Sequence, residues 1–267
     1  MHSFTLDGQT LRYQDIGQGE VIVFGHSYLW DSQMWQAQVE VLSQHYRCIV
    51  PDFWGHGESD VHPASMNNLN DYAQHMLALL DSLAIDTFSL AGLSLGGMWA
   101  VDLVIQAPQR VKKMALLNTF VGLEPEVNCI KYNAMFAEIM QNKVVTPELA
   151  EQIVALFFSQ AALARSADFI AQFRQHLLSA SAQQLSEWVA IGKMLFSRVD
   201  RFEELEKLAL PVLIIAGAQD RSRTPLESYL MNDSISGSQL HVLPECGHIS
   251  TLESSELVTQ LLTDFFA

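Results

Sequence analysis

Along the chain, short apolar runs alternate with stretches of helical periodicity. The first residues differ. "SFTLDG" and "TLRYQDIG" alternate apolar and polar positions around Asp7-Gly8, a pair suited to the positive φ angles of a tight turn, and predict a hairpin. "VIVFGH", "RCIVPD", "TFSLAG" and "KKMALLNT" follow as continuous aliphatic runs, the pattern of strands buried on both faces. Helical patterns at 33–44, 69–84 and 94–108 lie between them, the last stopped by Pro108. "PVLIIAG" and "QLHVLP" close the chain as two more strands, with helices near 225–233 and from about 252. Such alternation predicts an α/β fold with a mostly parallel sheet of the eight-stranded type and helices on both faces.

The alternation breaks between 122 and 205, where only helical patterns occur, such as "IKYNAMFAEIMQ", "TPELAEQIVALFFS", "SADFIAQFRQHLLS" and "SEWVAIGKMLFS". We read residues 1–121 and 206–267 as the core domain and 122–205 as a helical cap inserted over one edge of it.

Composition narrows the function. The formal charge of −15 on 267 residues disfavours nucleic acid and anionic membranes as partners. The N-terminal residues lack a basic start and an apolar core of signal-peptide length, and the longest apolar runs are too short to span a bilayer, which predicts a cytoplasmic protein. Cys48, Cys129 and Cys246 are widely spaced and suggest neither a disulfide framework nor a metal site. Only Cys246, two residues before His248, is a candidate reactive thiol. No cofactor or metal is expected, and the oligomeric state is not readable.

The candidate chemistry begins at "SLAGLSLGGMWA" (89–100). Gly92, Ser94 and Gly96 form G-x-S-x-G between a buried strand and a helix, the context of a nucleophile elbow. Glycines let strand and helix approach closely, and the strained corner presents the serine hydroxyl. A helix N-cap serine does not need glycines on both sides. A serine nucleophile needs a base, and the base an orienting acid, in the chain order Ser, Asp, His. Asp220 follows the strand "VLIIAG" and His248 follows "QLHVLP", so both fall on the strand ends that carry Ser94. Asn118 also ends a strand but is not an acid. His241 lies within a strand and suits packing, and His75 and His176 read as surface or boundary positions on helices. For the oxyanion hole we expect the backbone N–H of Leu95 and one from "GHSYLWDSQMW", taken as Tyr28 with Ser27 as the alternative.

With these motifs in hand, the chain resembles the α/β-hydrolase superfamily over nearly its whole length. "GHS" is similar to its His-Gly oxyanion loop, and "DFWGHGES" to its Asp-x-x-Gly-x-Gly-x-Ser turn. "GLSLGG", "GAQD" and "CGH" match its nucleophile, acid and histidine positions. "HSYLWDSQMW" and "PDFWGHGESD" look most like the group of 3-oxoadipate enol-lactonases and related carboxylesterases, in which Ser27 replaces the usual glycine. Serine at the elbow argues against dehalogenases and epoxide hydrolases, which carry aspartate there. The resemblance implies a serine hydrolase of esters or lactones, and the apolar side chains that adjoin the strand ends suggest small to medium, largely apolar substrates. Trp30, Phe120 and Trp188 are expected to line its pocket, while Lys131, Arg165, Arg174, Lys193 and Arg198 are read as a solvated outer face of the cap. The alternative is a small-ligand sensor with slow or no turnover on the same fold.

Overall fold

The computed structural model describes residues 1–267. β1 (His2–Leu6) and β2 (Gln9–Ile16) form the hairpin, with Asp7 and Gly8 at φ of 49° and 79° in its turn. β3 (Glu20–Gly25), β4 (Tyr46–Pro51), β5 (Phe88–Leu93), β6 (Val111–Leu117), β7 (Val212–Gly217) and β8 (Gln239–Leu243) complete one eight-stranded sheet in the order β1-β2-β4-β3-β5-β6-β7-β8. β2 pairs antiparallel with both β1 and β4; β3 to β8 run parallel to one another. Every residue of β5 and β7 is buried, which explains their unbroken apolar pattern.

α1 (Gln36–Leu42) joins β3 to β4, and α2 (Leu69–Ser82) joins β4 to β5 on the far side of β3. The strand order therefore reverses at β4, and right-handed crossovers then put α1 and α2 on opposite faces of the sheet. The helical pattern at 33–44 is in fact two pieces. Asp31 caps a 3₁₀ turn over 32–35, accepting from the Gln33 N–H, and the α-helix starts only at Gln36. α3 (Leu95–Gln106) follows β5.

Between β6 and β7 lie only helices: α4 (Glu126–Asn142), α5 (Pro147–Phe157), α6 (Gln160–Ala164), α7 (Asp168–Leu178) and α8 (Ala182–Phe196), with a 3₁₀ turn at 202–207 before β7. α6 was not anticipated; at five residues it is too short for periodicity to register. α9 (Pro225–Ser234), α10 (Ser250–Glu253) and α11 (Ser255–Phe266) complete the chain. Buried residues of α4–α8, among them Phe136 and Trp188, belong to the same apolar cluster as the strands, so the helical block packs onto the sheet rather than standing apart. No helix is long and apolar enough to cross a membrane.

Candidate active site

Ser94 sits between β5 and α3 with φ 55° and ψ −115°, a strained conformation for a serine. Its side chain makes no capping hydrogen bond, so it is not there to cap α3. The corner is held by backbone: Ser94 N–H donates to Leu117 C=O at 2.9 Å, and Ser94 C=O accepts from the Thr119 hydroxyl at 2.7 Å. Tight approach accounts for the glycines. A Cβ on Gly25 would come within 2.7 Å of Gly96 Cα, and one on Gly92 or Gly96 would run into backbone of Gly96 or Gly25. Leu29 after β3 and Asn118 after β6 are also left-handed, at φ 66° and 47°. Ser94 thus shares this left-handed backbone with neighbours in the adjoining strand-end loops.

Asp220 and His248 meet at the same edge. His248 Nδ1 lies 2.8 Å from Asp220 Oδ2, and both side chains are buried. The other carboxylate oxygen accepts the backbone N–H groups of Ser222 at 2.8 Å and Arg223 at 2.9 Å. Asn118 spans the two loops, donating from Nδ2 to Asp220 Oδ2 at 3.0 Å and to Gly247 C=O at 3.1 Å. An ionised acid facing Nδ1 favours the tautomer with its proton there and leaves Nε2 free to accept one. Ser94 and His248 both line one cavity, but no hydrogen bond joins them in this structure.

The loop after β3 is fastened from several sides. His26 Nε2 accepts from the Phe53 N–H at 2.7 Å, and Asp52 Oδ1 accepts from the Ser32 N–H at 2.8 Å. The Ser27 N–H is turned to Met34 Sδ, 3.3 Å away, and the Leu29 N–H donates to His56 Nε2 at 3.2 Å. The Trp30 N–H donates back to Ser27 C=O. Of these four residues Tyr28 alone keeps an N–H without an acceptor in the protein. Burial holds the His56 imidazole down to about 3, so it stays neutral and able to accept. The Tyr28 hydroxyl reaches the other way, donating to Trp188 C=O on α8.

The cavity is bounded by the strand-end loops and by α4, α5, α7 and α8. Fifteen of its nineteen lining residues are hydrophobic, including Tyr28, Met98, Phe136, Phe157 and Trp188. This makes it a site for apolar groups. Two expected lining residues lie elsewhere. Trp30 stacks on Phe173 at 4.7 Å with an interplanar angle of 7°, on the outer side of the loop. Phe120 packs against Phe202, because the left-handed turn at Asn118 directs Thr119 towards Ser94 and the next side chain away from it.

Other expectations also need correction. Arg198 is not on a solvated face: it is buried and bonded to Glu124 Oε2 at 3.0 Å. His75 is buried and accepts from the Trp54 indole N–H at 3.2 Å. Burial pushes the Cys246 thiol up to about 12, so it is not a thiolate at neutral pH. Two contributors were not anticipated. Asn118, although not itself an acid, holds the Asp220 carboxylate. Arg223 lines the cavity and is paired with Glu124 Oε1 at 2.7 Å. Nothing local in the sequence could pair residues so far apart.

Residues 20–255 match the alpha/beta hydrolase fold family. The chain is similar to 3-oxoadipate enol-lactonase 2 of Acinetobacter baylyi, 26% identical over 95% of this chain and 92% of that protein. Among solved structures it is similar to a thermophilic esterase from Thermogutta terrifontis, with a TM-score of 0.88, 26% identity and coverage of 99% and 96% of the two chains. It is likewise similar to the enol-lactonase from Burkholderia xenovorans LB400, with a TM-score of 0.87, 25% identity and 99% coverage of both chains. An eight-stranded sheet with one antiparallel edge, a strained serine at the β5–α3 corner and a match over most of its length all agree: this chain belongs to the alpha/beta hydrolase fold family.

Proposed function

We propose that the protein is a carboxylic ester hydrolase in which Ser94 is the nucleophile, His248 the general base and acid, and Asp220 the group that orients and stabilises the imidazolium. Relatives named as esterases and enol-lactonases support the reaction class. The carrying observation is the 2.8 Å contact of His248 Nδ1 with Asp220 at the cavity that Ser94 also lines.

The steps follow from that geometry. Ser94 Oγ attacks the ester carbonyl while His248 Nε2 takes its proton, once substrate binding brings the two within hydrogen-bond reach. The N–H groups of Leu95 and Tyr28 hold the developing oxyanion, and the N-terminal end of α3 adds a favourable dipole. His248 returns the proton to the leaving alcohol. Water, activated by the same imidazole, then releases the acid from Ser94. The apolar lining suits small to medium acyl groups of esters or lactones.

The test is turnover of a chain-length series of p-nitrophenyl esters beside a small lactone panel, with Ser94→Ala as control. Activity that falls by at least about 10³-fold in Ser94→Ala supports the assignment. Full activity in that variant overturns it.

A further inference from the structure

Arg223 is the only permanently charged residue lining the cavity. An arginine in an apolar pocket would ordinarily mark the place of a substrate carboxylate. Here its charge is already matched. Nη2 donates to Glu124 Oε1 at 2.7 Å and Nε donates to Ser222 C=O at 2.6 Å, while Nη1 makes no hydrogen bond but lies 3.4 Å from Glu227 Oε1, so its charge is balanced. Glu124, whose side chain is fully buried, binds Arg198 through its other oxygen at 3.0 Å. Burial acts to raise the Glu124 carboxyl, but the hydrogen bond and charge of Arg223 and the charge of Arg198 bring it below the usual range, so it is ionised. The carboxylate of Asp220 lies beside this cluster, its Oδ1 bonded to the Arg223 backbone. The two arginines therefore face two carboxylates, Glu124 and Glu227, with Asp220 held beside them through the Arg223 backbone.

We infer that Glu124 is a specificity-determining residue, neutralising Arg223 and Arg198 so that the pocket takes uncharged acyl groups and rejects acyl groups bearing a carboxylate. The inference rests on the proposed role of Ser94. Once the alcohol has left, the acyl group is attached to Ser94 and lies in the cavity that Ser94 and His248 line. A carboxylate on that group would lose its hydration among fifteen hydrophobic neighbours and find no unmatched cation there. Replacing Glu124 by glutamine keeps the shape, removes the shared anion, and leaves Arg198 without an ion-pair partner and Arg223 with Glu227 alone.

The experiment compares kcat/KM for p-nitrophenyl hexanoate and for its counterpart with the terminal methyl replaced by carboxylate. Both are measured in the wild type and in Glu124→Gln. The wild type should favour the neutral ester by at least about tenfold, and Glu124→Gln should shift that ratio by about tenfold or more towards the anionic ester, mainly through its KM. A purely structural role for Glu124 would lower both activities together and leave the ratio unchanged, which would overturn the inference. Equal turnover of both esters by the wild type would overturn it too. If Glu124→Gln does not fold, Glu227→Gln at the rim of the cluster removes a negative charge facing the same arginine and should move the ratio the same way. Binding of the matching amides to the Ser94→Ala protein separates this reading from the catalytic one. Selective binding of the neutral amide supports the charge selectivity even if no ester is turned over. Equal binding of both amides refutes it even if Ser94 is the nucleophile.

Discussion

The carbonyl of Phe157, at the end of α5, accepts the backbone N–H of His248 at 2.9 Å, and the two rings meet edge to face at 5.2 Å. The helical block therefore holds the candidate base directly. Neighbouring contacts repeat the arrangement: Ser159 N–H donates to Glu253 at 3.0 Å, and Gln160 N–H to the Gln219 side chain at 2.9 Å, next to Asp220. A short stretch of the helical block is thus bonded to both loops that carry Asp220 and His248.

Asp220→Asn should lower kcat by about 10³–10⁴-fold with little change in KM, because the imidazolium loses its counter-charge and the ring its fixed tautomer. Steady-state kinetics on a responsive ester, with circular dichroism to confirm folding, checks this. Retention of more than a tenth of wild-type kcat would assign the acid elsewhere.

Tyr28→Phe removes the hydroxyl that joins the oxyanion loop to Trp188 of α8 and leaves the Tyr28 backbone N–H in place. The expected cost is about 1 kcal/mol of stability, or a drop of roughly 2–4 °C in Tm. The loss in kcat should stay within about tenfold, since the proposed oxyanion donor is the backbone N–H. Thermal unfolding and kinetics on one preparation test both parts.

Gly96→Ala should be severely destabilising, by about 3 kcal/mol or more, because the new Cβ would run into the Gly25 carbonyl where α3 crosses β3. Gly8→Ala meets no neighbour and suffers only from its positive φ, so its loss should be smaller. Urea unfolding of the two variants should rank them in that order.

His62 and Glu187 fasten the loop before α2 to α8, with Nδ1 and Oε2 2.6 Å apart. The hydrogen bond to Glu187 raises the His62 imidazole above its ordinary value. Burial acts to raise Glu187, but the hydrogen bonds and charge of His62 leave its carboxyl below its ordinary value. The His62 contribution is complete below the ordinary histidine pKa and disappears as pH rises through the raised one. The Glu187 contribution is complete above the ordinary carboxylate pKa and disappears as pH falls through the lowered one. The Tm difference between wild type and His62→Gln should therefore peak near about pH 5–6 and vanish in mildly alkaline solution. A difference independent of pH would mean that the pair contributes no charge interaction.

Much of this protein is set by local pattern. The hairpin follows from Asp7-Gly8, the buried strands from unbroken aliphatic runs, and the corner at Ser94 from glycines whose missing side chains are the condition for strand and helix to touch. These features depend on residues within a few positions of one another, so the sequence by itself determines them. The order of Ser94, Asp220 and His248 after β5, β7 and β8 is legible for the same reason, since parallel strands bring their C-terminal ends to one edge. Tertiary structure alone decided which side chains meet there. Trp30 and Trp188 are equally apolar, yet only Trp188 lines the cavity, because each helix of the block buries apolar residues against several partners and periodicity does not say which. Asn118 on Asp220, Tyr28 on Trp188 and Glu124 between Arg198 and Arg223 join residues separated by 74 to 160 positions. Such pairs leave no periodic trace in the chain, since a buried polar group requires a partner but does not specify where along the sequence it comes from.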